Sequence, residues 1–439
     1  MSHGASGFAP DHPETVFTYG APGLKLGVGA RHELGHDLAV LGARRVLLVT
    51  DPGVAATGAP AEIAERVGRD GIDVVTFDRS RVEPTDASLL EAISFARENG
   101  PFDAVLAVGG GSSIDTAKAV DLMLTNDGEL MDYVNAPVGG GRAPANPLLP
   151  LVAVPTTTGT GSESTTICVL DVVSQHVKTG ISHPRLRPTL AVVDPELTLT
   201  QPANVTAASG LDILCHALES YTARPYASYE AKTADQRVPY CGSNPISDVW
   251  SERALALMAT SFRRAVTHGG DLEARTQVAT AATFAGLGFG NAGVHIPHAN
   301  AYPIAGQVRE FRPDHYPADD GASGHAGLVP HGMAVSLTAP AAFRFTFDAA
   351  PDRHVRAARL LDPDAVMTDD PADLLPQVLT AVMRDVGIPA GLAAVGFGAA
   401  DLDPLVDGAM KQQRLLATAP REVTEDDVAG ILDASLELW

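Results

Sequence analysis

Short apolar runs alternate with amphipathic stretches through the first half of the chain. The runs at 45–50, 73–77 and 104–108 have the length and the β-branched and aliphatic content of strands. The stretches at 59–70 and 88–98 instead space their apolar residues at helical period. This alternation predicts a parallel sheet covered by helices, because parallel neighbours need a long crossover. Two further buried-strand candidates, 149–154 and 190–193, flank a loop of Thr, Gly and Ser. From about residue 204 the helical period takes over, across 205–223, 248–266, 272–287 and 373–386, and strand signals become rare. The expected fold class is therefore α/β with a parallel sheet over 1–201, followed by an all-α domain over 202–439. A chain of 439 residues exceeds what one core usually serves, which agrees with two domains.

Composition narrows the partners. Aromatic residues make up 5% of the chain and the formal net charge is -22. Stacking platforms are scarce and the field repels a phosphate backbone, so nucleic acid is excluded and small molecules are expected. If those molecules are carboxylates, local Lys or Arg must reverse the background field where they bind. Cys168, Cys215 and Cys241 form an odd set without Cys-x-x-Cys spacing, as expected of reduced thiols. Residues 1–18 show neither a basic segment leading into an apolar core nor the arginines of a transit peptide. No uncharged run reaches membrane-spanning length. The expectation is a soluble cytoplasmic protein without membrane contact, in which Asn204-Val205-Thr206 is a chance sequon.

Several motifs carry chemistry. Gly109-Gly110-Gly111-Ser112-Ser113 follows the 104–108 strand and leads into Ile114-Asp115-Thr116-Ala117-Lys118. A strand running into glycines and a helix start lets backbone N–H groups approach a pyrophosphate without Cβ obstruction. The motif lacks the Lys-Ser/Thr of a Walker loop, and a simple turn is the other reading. Pro155-Thr156-Thr157-Thr158-Gly159-Thr160-Gly161-Ser162-Glu163 sets hydroxyls beside glycines, which suits a ribose, a phosphate or an amide, or else an ordinary hydroxyl-rich turn. Asp51 ends the 45–50 strand, where a carboxylate accepts ribose hydroxyls or caps a helix. Asp212 and His216 stand at i, i+4 in a helical stretch and share a face, fit for a divalent ion or for a helix ion pair. Distant imidazoles must complete a metal site. His295, His298 and His331 are the candidates, lying near Gly and Pro at expected element ends, whereas His3, His12, His268 and His354 sit in polar, surface-like contexts.

Taken together, GGGSSIDTAK, PTTTGTGSE, GLDILCHALESY and the two later histidine segments resemble the iron-containing alcohol dehydrogenase family across essentially the whole chain. The stretches 131–139, 288–295 and 328–332 are similar to its hydroxyacid–oxoacid transhydrogenase branch. The resemblance implies a dehydroquinate synthase-like architecture, with a dinucleotide-binding α/β domain and a helical metal-binding and substrate domain. It implies a divalent metal, iron first with zinc or another ion as alternatives, on Asp212, His216, His298 and His331. It also implies NAD at Asp51, Gly110, Gly111, Ser112, Asp115, Thr156, Thr160 and Lys178. The implied reaction is metal-dependent hydride transfer, in which 4-hydroxybutyrate and 2-oxoglutarate become succinate semialdehyde and 2-hydroxyglutarate. A conventional NAD-dependent alcohol dehydrogenase that releases NADH is the alternative, and a dehydroquinate synthase-type lyase or a nucleotide-binding sensor stand further off. A homo-oligomer, dimer or larger, is expected.

Two departures from the common family pattern bear on mechanism. Many relatives carry a histidine four residues after the third ligand, where this chain has Tyr302. His295 or Tyr302 is expected to serve in its place as a proton relay. The span between His298 and His331 is also long and holds Arg309 and Arg312, which are expected to pair with a substrate carboxylate, aided by Lys232 or Arg237. Solvated loop charge is the competing reading of each of these cations.

Overall fold

The computed structural model describes residues 10–175, 177–316 and 327–439. The chain forms two compact units. One comprises Ala21–Gln201 with Gly270–Ala279; the other comprises the N-terminal residues through Gly20 with Pro202–Gly269 and Thr280–Trp439. A single cut at 201 therefore misses two exchanged segments. The N-terminal one has no apolar period to reveal its core, and specific bonds hold it instead: Asn291 brackets Gly20 through its side chain, and Tyr19 donates to the Leu287 carbonyl.

The sheet unit contains β1 (Gly23–Leu26), β2 (Arg45–Val49), β3 (Asp73–Phe77), β4 (Ala104–Gly109), β5 (Leu151–Pro155), β6 (Ile167–Val172), β7 (Val177–Ser182) and β8 (Leu190–Val193). Six of them form one parallel sheet in the order β1-β8-β5-β4-β2-β3, and β6 pairs with β7 as an antiparallel hairpin. Successive side chains feed opposite faces. Leu47, Val49, Val105 and Ala107 enter one core with helices Asp86–Asn99 and Gly111–Thr125. Val46, Leu48, Leu106 and Val108 enter the other core with Ile63 and Val67 of helix Ala59–Arg69. Both faces are covered, which is why these strands read as unbroken apolar runs. The strand order reverses between β2 and β4, so their carboxyl ends bring Asp51 and Gly109–Gly111 to the switch point where doubly wound sheets bind ligands. β1 gave no periodic signal because it is a four-residue edge strand with Gly23 and Leu24 exposed. The β6–β7 hairpin was missed because it stands outside the strand–helix alternation.

In the helical unit, Ala203–Thr222 is buried on nearly every side and packs against helices Pro245–Thr267 and His331–Thr346. Gly210 allows the first contact, since a Cβ there would lie 2.0 Å from the Phe262 ring. Helix Ile296–Gln307 lies against His331–Thr346. None of the described helices is long and apolar enough to cross a membrane. His12 and His268 are exposed, and His3 lies outside the described residues. The surface reading of His354 is corrected: it is buried, with Nε2 2.9 Å from Thr346 Oγ1 and Nδ1 2.8 Å from the Ala350 carbonyl. Asp352, Arg353 and Arg356 around it are charged, but helical period places it with Ala357, Ala358 and Leu361 on the buried face of Pro351–Leu361.

Asp121 of helix Gly111–Thr125 is buried, and its Oδ1 accepts the Leu149 amide at 2.9 Å. Burial pushes its carboxyl up to about 8. Between its ordinary value near 4 and about 8, the folded state holds a proton that the unfolded chain has released, so stability falls as pH rises through that window. Asp121→Asn keeps the acceptor without the charge. It is expected to be more stable than the unsubstituted chain by on the order of a few kcal/mol at pH 8, and equal to it near pH 4, in thermal melts. A variant that melts identically at pH 8 would show that the carboxyl is ionised in the fold.

Candidate metal centre and nucleotide-binding edge

Helix Ala203–Thr222 carries Asp212, His216 and Glu219 at i, i+4 and i+7, on one face. Helix Ile296–Gln307 supplies His298, and His331 opens helix His331–Thr346. One ligand-type atom from each of Asp212, His298 and His331 lies within 4.8 Å of the other two. Asp212 Oδ1 is 3.6 Å from His298 Nε2 and 3.7 Å from His216 Nε2. His216 stands beside the group of three rather than within it, stacked on His298 at 4.7 Å and on Phe289 at 3.8 Å between ring centroids. Gly332 permits the close approach of the His331 helix, since a Cβ there would lie 2.1 Å from the Ala208 carbonyl oxygen and 2.7 Å from Asp212 Cβ.

The electrostatics follow from burial. Desolvation alone would push the Asp212 carboxyl up, but the facing imidazoles hold it well below the usual carboxylate range. Desolvation pulls His216 down to about 4. It opposes charge on His298 too, yet Glu219 and Asp212 overcome it and hold that ring up to about 9. Asp212 Oδ1, His216 Nδ1 and His298 Nε2 are buried and find no hydrogen-bond partner among the described residues. Buried polar atoms are seldom left bare. A carboxylate with imidazoles is the donor set of a borderline divalent ion, so these residues fit one. Glu219, which sequence reasoning passed over, is fully buried; its Oε1 accepts from His298 Nδ1 and its Oε2 from the His295 amide, each at 2.6 Å. Its signal was its place seven residues after Asp212 on the same helical face.

The other expected residues lie in varied surroundings. Tyr302 is beside the cluster, its ring 6.1 Å from that of His331. His295 is fully buried with Nε2 3.0 Å from Thr222 Oγ1, and burial pulls it down to about 4. Arg309 is exposed and pairs with Asp401, while Arg312 is half-buried. Arg237 pairs with the buried Glu14 at 3.1 Å, and the Lys232 ammonium lies 5.0 Å from the Tyr229 ring centre.

At the carboxyl edge of the sheet, two loops pack on each other. A Cβ at Gly110 would lie 3.0 Å from Thr157 Oγ1, and one at Gly111 would lie 2.6 Å from Thr160 Oγ1, so these glycines admit the threonine loop as well as any ligand. The buried Lys118 ammonium clamps that loop, donating to Ser162 Oγ, Thr165 Oγ1 and the Ile167 carbonyl at 2.7–3.1 Å. Asp115 has both oxygens engaged, by Ser162 Oγ at 2.5 Å and the Val169 amide at 2.9 Å. Asp51 caps a short helix through the Val54 amide and accepts Ser113 Oγ across the switch point, both at 3.0 Å. Lys178 pairs with Glu83 at 2.9 Å, and Ser112 Oγ accepts the Glu83 amide at 3.1 Å. Glu83, another residue not singled out from sequence, has a left-handed backbone with φ 57°. No side chain caps helix Gly111–Thr125, and the hydroxyls of Thr50, Thr156 and Thr158 are buried without partners among the described residues. Uncapped amides and bare hydroxyls at this edge fit a dinucleotide.

Comparison with known proteins decides the lineage. The family model of iron-containing alcohol dehydrogenase matches residues 22–195, and that of the Fe-containing alcohol dehydrogenase C-terminal region matches 206–309 and 323–436. The chain belongs to the iron-containing alcohol dehydrogenase family. Mitochondrial hydroxyacid-oxoacid transhydrogenase of Bos taurus is 42% identical over 442 residues, covering 99% of this chain and 93% of its own length. The Homo sapiens protein of that name is 42% identical over 443 residues with the same coverage. Among solved structures, 1,3-propanediol oxidoreductase matches with a TM-score of 0.82 at 30% identity, covering 96% of this chain and 100% of that one. An alcohol dehydrogenase from Oenococcus oeni matches with a TM-score of 0.82 at 28% identity and the same coverage. Membership implies NAD and a divalent metal as cofactors, and small hydroxy acids or alcohols as substrates. The expectation of a cytoplasmic protein is corrected, because the relatives at 42% identity are named mitochondrial. Charge and thiol count describe the folded domains, whereas a compartment is assigned by receptor-read signals that leave no mark on a core.

Gly332→Ala tests how the centre is packed. The added methyl is expected to cost about 1–3 kcal/mol through overpacking, read as a lower melting temperature. Gly306→Ala, whose Cβ would meet nothing within 4 Å, leaves melting unchanged or raises it. Equal melting of the two variants would mean that helix approach at Asp212 does not depend on glycine.

Proposed function

We propose that this chain is a hydroxyacid–oxoacid transhydrogenase, moving hydride from a hydroxy acid to an oxo acid through NAD, with Asp212, His216, His298 and His331 as ligands of a divalent ion. The observation that carries the reading is 42% identity across 99% of the chain to proteins of that name. The bare, mutually facing Asp212 Oδ1 and His298 Nε2 support the metal, and iron is the ion that the family description names. Zinc and manganese suit the same nitrogen–oxygen donors.

Bound there, a divalent cation supplies Lewis acidity toward an alcohol or carbonyl oxygen. The chain's own groups do the rest. Asp212, buried with His216 and His298, contributes the negative charge that favours a cation over bare imidazoles. Tyr302, whose ring lies 6.1 Å from that of His331, would take up or return the proton of the substrate hydroxyl, with His295 as the other candidate for that relay. At the other site, the uncapped amides after Gly110 would hold the phosphates of a dinucleotide, and Thr156 and Thr160 would contribute hydroxyls to it. The net reaction moves one hydride and one proton, that is two protons and two electrons, from donor to acceptor. For 4-hydroxybutyrate and 2-oxoglutarate the products are succinate semialdehyde and 2-hydroxyglutarate.

Purified protein is incubated with 4-hydroxybutyrate, with and without 2-oxoglutarate, while organic products and free NADH are followed. Product formation that requires the oxo acid and releases no free NADH is expected. Free NADH in step with the semialdehyde would overturn the transhydrogenase reading in favour of a conventional alcohol dehydrogenase. Asp212→Asn is expected to lower turnover by at least about 100-fold together with metal content, exceeding the effect usual for groups one bond further out. Retained turnover would remove Asp212 from the centre.

A further inference from the structure

Glu219 is a buried charged group that the reaction above does not use. It is 0% exposed and receives three hydrogen bonds from one short segment: the His298 ring and the His295 amide at 2.6 Å, and the His298 amide at 3.5 Å. Its two oxygens do different things. Oε2 takes the amides at the start of helix Ile296–Gln307, where His295 is the capping residue and the helix dipole favours negative charge. Oε1 takes the Nδ1–H of His298. In the neutral ring, the form that binds a cation, a proton on Nδ1 leaves the lone pair on Nε2, and Nε2 is the atom that faces Asp212 at 3.6 Å without a hydrogen-bond partner among the described residues.

We propose that Glu219 is a positioning residue for the metal: it selects the tautomer and fixes the ring of His298 so that Nε2 is the binding atom. The inference rests on the metal-centre reading. Asp212, His216 and Glu219 share one face of one helix, so two donors and the group that aims a third move as a single rigid frame.

Glu219→Gln separates this role from packing. The glutamine is nearly isosteric, and its carbonyl can still accept the His295 amide. Its NH₂ then meets His298 Nδ1, which must become the acceptor and leave the proton on Nε2. The variant is expected to melt within a few degrees of the unsubstituted protein but to bind Zn²⁺ about 10- to 100-fold more weakly in chelator competition. The visible absorption band of its Co²⁺-loaded form is expected to change as the His298 ligand is lost. Glu219→Asp keeps the charge at shorter reach and should recover part of the lost affinity. Unchanged Zn²⁺ affinity in folded Glu219→Gln, or an equal loss in Glu219→Asp, would overturn the proposal alone. Absence of Zn²⁺ binding by the unsubstituted protein would overturn the metal reading with it.

Discussion

A carboxylate buried among imidazoles is the constraint around which the helical unit is arranged. Asp212 is 2% exposed, and an ionised carboxylate in such a place is costly unless positive charge meets it. The neighbouring elements serve that need. Helix Ala203–Thr222 presents Asp212, His216 and Glu219 together, Ile296–Gln307 delivers His298, and the absence of a side chain at Gly332 lets His331 approach. The protein meets Nδ1 of His298 with Glu219 but leaves its Nε2 and the facing Asp212 Oδ1 without hydrogen-bond partners among the described residues. That asymmetry, satisfied at one nitrogen and unsatisfied at the other, is the pattern expected of a metal-ligating histidine and not of an ordinary buried ion pair.

The sheet unit handles its own ligand edge differently, by packing loop against loop. Gly110 and Gly111 admit Thr157 and Thr160, and Lys118 ties the threonine loop to the helix that follows the glycines. Asp115 is consumed in the same clamp. Part of what looks like a ligand-binding motif is therefore the scaffold that holds the motif still, while the helix start stays uncapped by any side chain and the hydroxyls of Thr50, Thr156 and Thr158 have no partner among the described residues.

Features set by local period were legible in the sequence. The apolar runs of β2, β4 and β5 announced a sheet covered on both faces, and the i, i+4 spacing of Asp212 and His216 put both on one helical face. Features set by contacts between distant segments were not. Glu219 lay within the motif already in hand, but its role depends on His298, 79 residues away. His354 looked exposed because Asp352, Arg353 and Arg356 lie close to it in sequence, and its helical phase buries it. The strap through Gly20 and the pairing of Lys178 with Glu83 are likewise side-chain matches across long stretches of chain that no window reveals.

The most direct test is an anomalous-difference map from a crystal of iron-loaded protein, recorded on either side of the iron absorption edge. A single strong peak per chain enclosed by Asp212, His216, His298 and His331 is expected. A stoichiometric iron peak elsewhere in the chain, or none among these four side chains in a fully loaded crystal, would contradict it.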